Sequence, residues 1–445
     1  MKWRAGIDVA LVVATLALGV AVALHRIEFG STAGGWVFRY VAWLEPRVLL
    51  LAVLAAVGVA GLHEAARRRV EARPGLVVAA VLVAGIVVQL GLHALSPYAL
   101  PDLLVSDVAT GFYGAAARSS PLEVLSDFHR VAGRLPMHAR VNMPGKILLF
   151  HALRALTPDP RLQAVAIVAL SSLAGVALYA VVARAFADRR IGLDAMTLWL
   201  LVPSKVAFHP LPNVVSPLPA MLAVWCMMRF LATGGPGWPV AVGALTYVTA
   251  MLDPLALWIG VAFAPLLAHA VAVRGVSLRR VSALIAIAVA ALVACHLAVV
   301  VGTGFDVVKR LREMAEIVRT FNVQWSRPRD VWLVANLKDV ALALGPAASV
   351  AVVAAAGAAV RKSAGARLLE PGPLLTLSTL AVLAVLDGIC LNRGEVARLW
   401  IFLYLPAQVA AAWWASGSGV SRSALIACTV AWTAITVATV GYCVP

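Results

Sequence analysis

Thirteen stretches of this chain are long, continuous and apolar, and a polypeptide carrying them has few folds open to it. They cover 6–25, 47–65, 75–95, 162–185, 191–208, 213–231, 237–252, 254–272, 281–302, 337–360, 372–390, 397–415 and 422–442. Hydrocarbon about 30 Å thick is crossed by roughly 20 apolar residues in a helix, so each run is a candidate span. The runs do not alternate in polarity, and lipid offers no partner to an open sheet edge, which favours a helical bundle over a barrel. With 62% hydrophobic and 13% charged residues and a mean hydropathy of +0.91, the 445 residues leave no room for a soluble domain. The reading is an all-α polytopic membrane protein with about thirteen transmembrane helices.

The net charge of +16 does not point to nucleic acid, because the cations cluster at the ends of apolar runs rather than along one solvated face. Arg67, Arg68, Arg69 and Arg73 follow the second run, and Arg184, Arg189 and Arg190 the fourth. Arg274, Arg279 and Arg280 follow the eighth, and Arg361, Lys362 and Arg367 the tenth. The positive-inside rule makes all four clusters cytoplasmic. Thirteen spans then put the N-terminus inside, the C-terminus outside, and the long 96–161 loop on the external face of a plasma membrane. Lys2 and Arg4 precede the first run without a small-residue cleavage site after it, so that run reads as a retained helix. The five cysteines lack CxxC spacing and read as small buried hydrophobes.

Chemistry is concentrated in the loops assigned outside. The first carries Asp102, Asp107, His138, Arg140, Asn142 and Lys146, and ends in an apolar stretch, Ile147 to Leu156, too short to cross and suited to an interfacial helix. Residues 303–335 hold Lys309, Arg310, Arg312, Arg319, Arg327 and Arg329, with Val308, Leu311, Ala315, Val318 and Phe321 as an apolar stripe at helical spacing. Arg393, Glu395 and Arg398 sit at the mouth of the twelfth run, where ionisable groups are costly. Each has a plainer reading. Asp107 caps a helix over Val108–Ala117, Asp102 is a turn residue after Pro101, and His138 and Arg140 touch lipid headgroups. Arg393, Glu395 and Arg398 form a local charge pair, and Asp253 in Met251-Leu-Asp-Pro caps a turn.

No phosphate loop, dinucleotide fingerprint or HExxH motif is present, and the nine histidines are dispersed, so no resident metal site is read. What remains is external carboxylates opposite external arginines. That pairing suits a carboxylate taking a proton from an incoming hydroxyl while cations hold a departing phosphate.

From about residue 75 to the C-terminus this layout resembles the C-type (GT-C) glycosyltransferases, of the protein-mannosyltransferase and arabinofuranosyltransferase kind. In that class a first helix leads into an acid-bearing external loop closed by a juxtamembrane helix, often introduced by a His-Pro-Pro-like element. Helix 75–95, Asp102 and Asp107, and the stretch His138 to Lys146 stand in those places. The resemblance implies a 75–445 core preceded by two extra helices in 1–74. It implies a polyprenyl-phosphate sugar as donor, and a glycan, glycolipid or protein hydroxyl as acceptor. By the same analogy Asp107 or Asp102 is the base of an inverting transfer, and Arg393 and Arg398, with Arg327 and Arg329, bind the donor phosphate. His138, Arg140, Asn142 and Lys146 would then meet the acceptor. A divalent cation is used by some members and not by others. The competing reading is a transporter or flippase for a lipid-linked sugar.

Overall fold

The computed structural model describes residues 2–362 and 366–445, without the side chains of residues 2–6, 129, 366 and 367. Nearly all of it is helix. Among the described residues, eight helices are long and apolar enough to cross a membrane, and a ninth crossing results if one bent pair counts as a span. The runs at Ile7–Ala23 and Gly237–Leu252 form apolar helices too, but shorter ones.

Three runs that read as single helices are interrupted, each by proline chemistry. The run 191–208 breaks after Arg189–Leu200, and a short helix resumes at Pro203–Ala207. The Leu201 carbonyl freed at the break accepts from the Thr433 hydroxyl at 3.1 Å, so the interruption leaves no orphan acceptor there. Pro265 interrupts 254–272 only locally, since Ala264 between Trp258–Phe263 and Pro265–Ala272 keeps helical dihedrals and the stretch still counts among the eight. The run 337–360 is the largest departure: helix Arg329–Leu344 meets Pro346–Lys362 at 111°. The corner is Gly345, at φ +97, followed by a proline that cannot continue the preceding ladder.

The bundle has two chemically different ends. At one, Arg189 donates to the Glu71 carbonyl at 2.8 Å, Arg274 to those of Arg184 and Ala185, and His269 bonds the Leu369 carbonyl. Buried Asp194 there joins His63, Arg67 and Arg422. The basic loops named from the sequence therefore converge on one end. At the other end lies a small antiparallel sheet that the all-α reading omits. Its strands are β1 (Phe29–Ser31), β2 (Trp36–Tyr40) and β3 (Val440–Gly441), in that order. The sheet is tied down by helix Arg329–Leu344, since Asp339 accepts from the Gly30 amide and the Trp332 indole donates to the Gly34 carbonyl. The N-terminal helices Lys2–Ala23 and Pro46–Arg69 pack on Arg422–Thr439, so residues 1–74 are built into the bundle.

Packing elsewhere depends on small residues. Helices Pro346–Lys362 and Ile401–Ser418 pack together, and the first buries Ala348, Ala351, Ala355 and Ala359 on one face. Alanine there lets backbones approach closely, which is where helix association in lipid gains its dispersion energy.

Candidate functional site

The sheet end collects the loops 96–159, 303–328 and 390–400 around two cavities. The first loop folds as short helices, ending in Gly145–Leu156. That helix seats close to the turn at Met251: a Cβ on Gly145 would lie 2.2 Å from the Met251 carbonyl oxygen, so only glycine fits. Lys146, one residue on, is fully buried and is held by Asn142 at 2.7 Å and Asp253 at 3.2 Å. Asn213 donates to the same Asp253 oxygen, and the other oxygen accepts from the Leu255 amide, which is the turn-capping role read for it. Burial pulls the Lys146 ammonium below its usual range, and Asp253 opposes the shift. Lys146 and Asn142 thus fasten the loop to the bundle. Arg310 does the same from helix Val307–Gln324, stacking on Phe128 at 4.8 Å and donating to the Arg140 and Asn142 carbonyls. The side chain of Arg140 itself is exposed.

The amphipathic helix is where the stripe placed it: Leu311, Ala315, Val318 and Phe321 are half-buried, and only Val308 of the stripe is exposed. Met314, Ile317, Val318 and Phe321 face inward and Arg310 is buried.

The smaller cavity, about 150 Å³, is lined by that inward face and Leu255 together with Arg327, Arg393 and Arg398. Arg327 and Arg393 brace each other: each guanidinium donates to the other's backbone carbonyl, Arg393 at 2.6 Å. Arg398 pairs with Glu395. Glu395 sits at φ 57, an uncommon conformation for a carboxylate side chain, and one that segments held by their surroundings retain at functional sites. Here Asn336 accepts from the Gly394 amide and donates to the Asn392 carbonyl, fixing the segment. Burial alone would raise the Glu395 carboxyl, but Arg398, helped by Arg327, outweighs it and holds it below its usual range. Arg329 does not join this group; it is exposed and donates to the Gly388 carbonyl at 2.6 Å.

The larger cavity, about 290 Å³, lies against the sheet and is lined by Trp36, Phe38, Phe208 and Tyr442 together with Arg398, Glu395 and His138. Those three polar residues line both cavities. Burial, helped by Arg398 and Lys146 and opposed by Glu395, lowers the His138 imidazole from 6.5 to about 4. The native state therefore resists protonating a group that the unfolded chain protonates near 6.5. Stability should fall as pH drops from 6.5 towards 4, where the unfolded state binds the extra proton. Thermal unfolding across that range should show a steeper loss in the wild type than in His138→Gln, and equal slopes would remove the assignment.

Neither candidate acid is among the residues lining the two cavities. Val108 and Ala109 line the larger cavity, and Asp107 precedes them. Its oxygens take a two-pronged contact from Arg118 at 3.1 to 3.3 Å, with side chains 47% and 54% exposed. Asp107 does not cap a helix over 108–117. Ser106 accepts the amides of Val108 and Ala109 in a turn, and the helix begins only at Phe112 after Gly111. Asp102 is exposed within the first turn of helix Leu100–Val105, next to Pro101; the N-cap is Ala99 and no side chain caps it, so Asp102 is neither the turn nor the cap residue it reads as. Among the described residues no group of three or more His, Cys, Asp or Glu side chains is gathered to hold a metal ion. Sequence reasoning missed the β2 aromatics, Phe208, Tyr442 and the loop-fastening role of Arg310. Only Trp36-Val-Phe-Arg-Tyr40 carried a signal, an alternating aromatic pattern of strand period.

No protein-family model matches the chain, and no curated protein matches it significantly.

Proposed function

We propose that this chain is a multi-pass plasma-membrane glycosyltransferase of C-type architecture that takes its sugar from a polyprenyl-phosphate donor on the extracytoplasmic face. The observation that carries the reading is the smaller cavity, whose lining combines the apolar Met314, Ile317, Val318 and Phe321 with Arg327, Arg393 and Arg398, the last paired with Glu395. An isoprenoid phosphate matches that combination, and guanidinium is the side chain suited to a phosphate. The chain passes thirteen times between the ends in this reading, with the basic end cytoplasmic, the N-terminus with it, and the sheet end outside. Helix Arg329–Leu344 lies across the outer end and is not a crossing.

Transfer is an inverting displacement. The acceptor hydroxyl gives its proton to Asp107, its oxygen bonds the anomeric carbon, and the carbon–phosphate-oxygen bond breaks with its electron pair leaving on polyprenyl phosphate. Arg393 and Arg398 neutralise that leaving group. Glu395 acts through Arg398 as a positioning residue, and Arg118 orients Asp107. Arg398→Ala should weaken binding of a short polyprenyl phosphate by about tenfold to a hundredfold, the worth of a charged hydrogen bond. Thermophoresis with protein in nanodiscs measures it, and unchanged affinity would remove the phosphate assignment.

One observation favours a second reading, a flippase for a lipid-linked sugar: the broken segment around Pro203 holds Lys205, fully buried against Gln89. Broken helices bearing ionisable groups mark transport paths. Lipid counterflow in proteoliposomes without sugar transfer would establish it.

A further inference from the structure

We infer that the larger cavity is the acceptor subsite and that its ligand is a saccharide, an inference that rests on the donor assignment above. The cavity has one aromatic wall: Phe38 lies 4.3 Å from Trp36, 5.1 Å from Tyr442 and 6.0 Å from Phe208, centroid to centroid. The same cavity is also lined by a carboxylate, two guanidinium groups and an imidazole, from Glu395, Arg398, Arg39 and His138. A pyranose or furanose ring has that duality. Its C–H face packs on aromatic carbon, and its hydroxyls both donate to a carboxylate and accept from a guanidinium. The volume, about 290 Å³, is near the lower bound of small-molecule sites, about 300 Å³, and suits one ring rather than a folded polypeptide.

Position supports the same assignment. Glu395, Arg398 and His138 form a wall common to both cavities, so a ring in the larger one is a side chain away from a phosphate in the smaller. Val108 and Ala109, the two residues after Asp107 in the chain, also line the larger cavity. Trp36 and Phe38 come from β2, in the segment 1–74 that the family layout treats as additional. The N-terminal hairpin thereby sets acceptor specificity, selecting a glycan or glycolipid over a protein.

The test uses full-length protein in nanodiscs and saturation-transfer NMR with methyl mannopyranoside and methyl arabinofuranoside, set beside a capped serine peptide. The expected result is glycoside binding weakened about tenfold in both Phe38→Ala and the apolar replacement Phe38→Leu, with polyprenyl-phosphate affinity unchanged and no peptide signal. Phe38→Leu keeps an apolar side chain in place and guards against loss of the fold. Glycoside signals absent from the wild type, or unaffected by both variants while the lipid phosphate still binds, would overturn the inference and leave the donor reading intact. Peptide binding abolished by Phe38→Leu would overturn it as well. Lipid-phosphate affinity insensitive to Arg398→Ala would instead sink the donor reading.

Discussion

Asp107→Asn is expected to slow sugar transfer by a factor of about 10²–10⁴, the usual worth of a positioned general base. Asp107 immediately precedes, in the chain, two residues that line the larger cavity, and its carboxylate is oriented by a two-pronged contact from Arg118. Asparagine keeps the size and one acceptor oxygen, so Arg118 and the turn at Ser106 have little reason to move. The loss should fall on turnover, with donor and acceptor affinities close to those of the wild type. Transfer from a polyprenyl-phosphate sugar in proteoliposomes reads it directly. Full activity in Asp107→Asn would shift attention to Glu395, the carboxylate at the shared wall, whose replacement by Gln should otherwise act through Arg398 on donor binding.

The second large effect concerns folding. Lys146→Ala should destabilise the protein by about 3–5 kcal/mol, because it strands the Asp253 carboxylate in a buried site with only Asn213 and the Leu255 amide as partners. Much of that should return in Lys146→Met combined with Asp253→Asn, which removes both charges while Asn213 and Leu255 remain. Thermal unfolding in detergent distinguishes the outcomes. A single substitution costing less than about 1 kcal/mol would mean the pair is solvated and leaves the loop unfastened.

These predictions show where sequence was sufficient and where it was not. Apolar runs report burial in lipid or in protein without distinguishing them, so they located the helical segments but not the 111° corner at Gly345–Pro346. The Gly-Pro pair was visible, yet a run's mean hydropathy does not register a bend. Clustered arginines were legible because helix ends tolerate charge only on solvated faces, and their loops do meet at one end. The acidic loop and the 390–400 segment read correctly as polar features of the opposite end. Pairings across the chain were not readable. Lys146 stands 107 residues from Asp253, and Arg310 stands 168 from Asn142, so nothing local announces either contact. The same limit hid the larger cavity, whose wall joins β2 near the start of the chain to Tyr442 near its end.

The most direct test of the account is a structure of the protein in nanodiscs with a polyprenyl phosphate bound. The account predicts the phosphate within hydrogen-bonding distance of Arg393 and Arg398, its chain along Met314, Ile317 and Phe321, and Asp107 on the acceptor side of the sugar. A phosphate seated instead among the arginines of the opposite end, at Arg274 and Arg280, would contradict it.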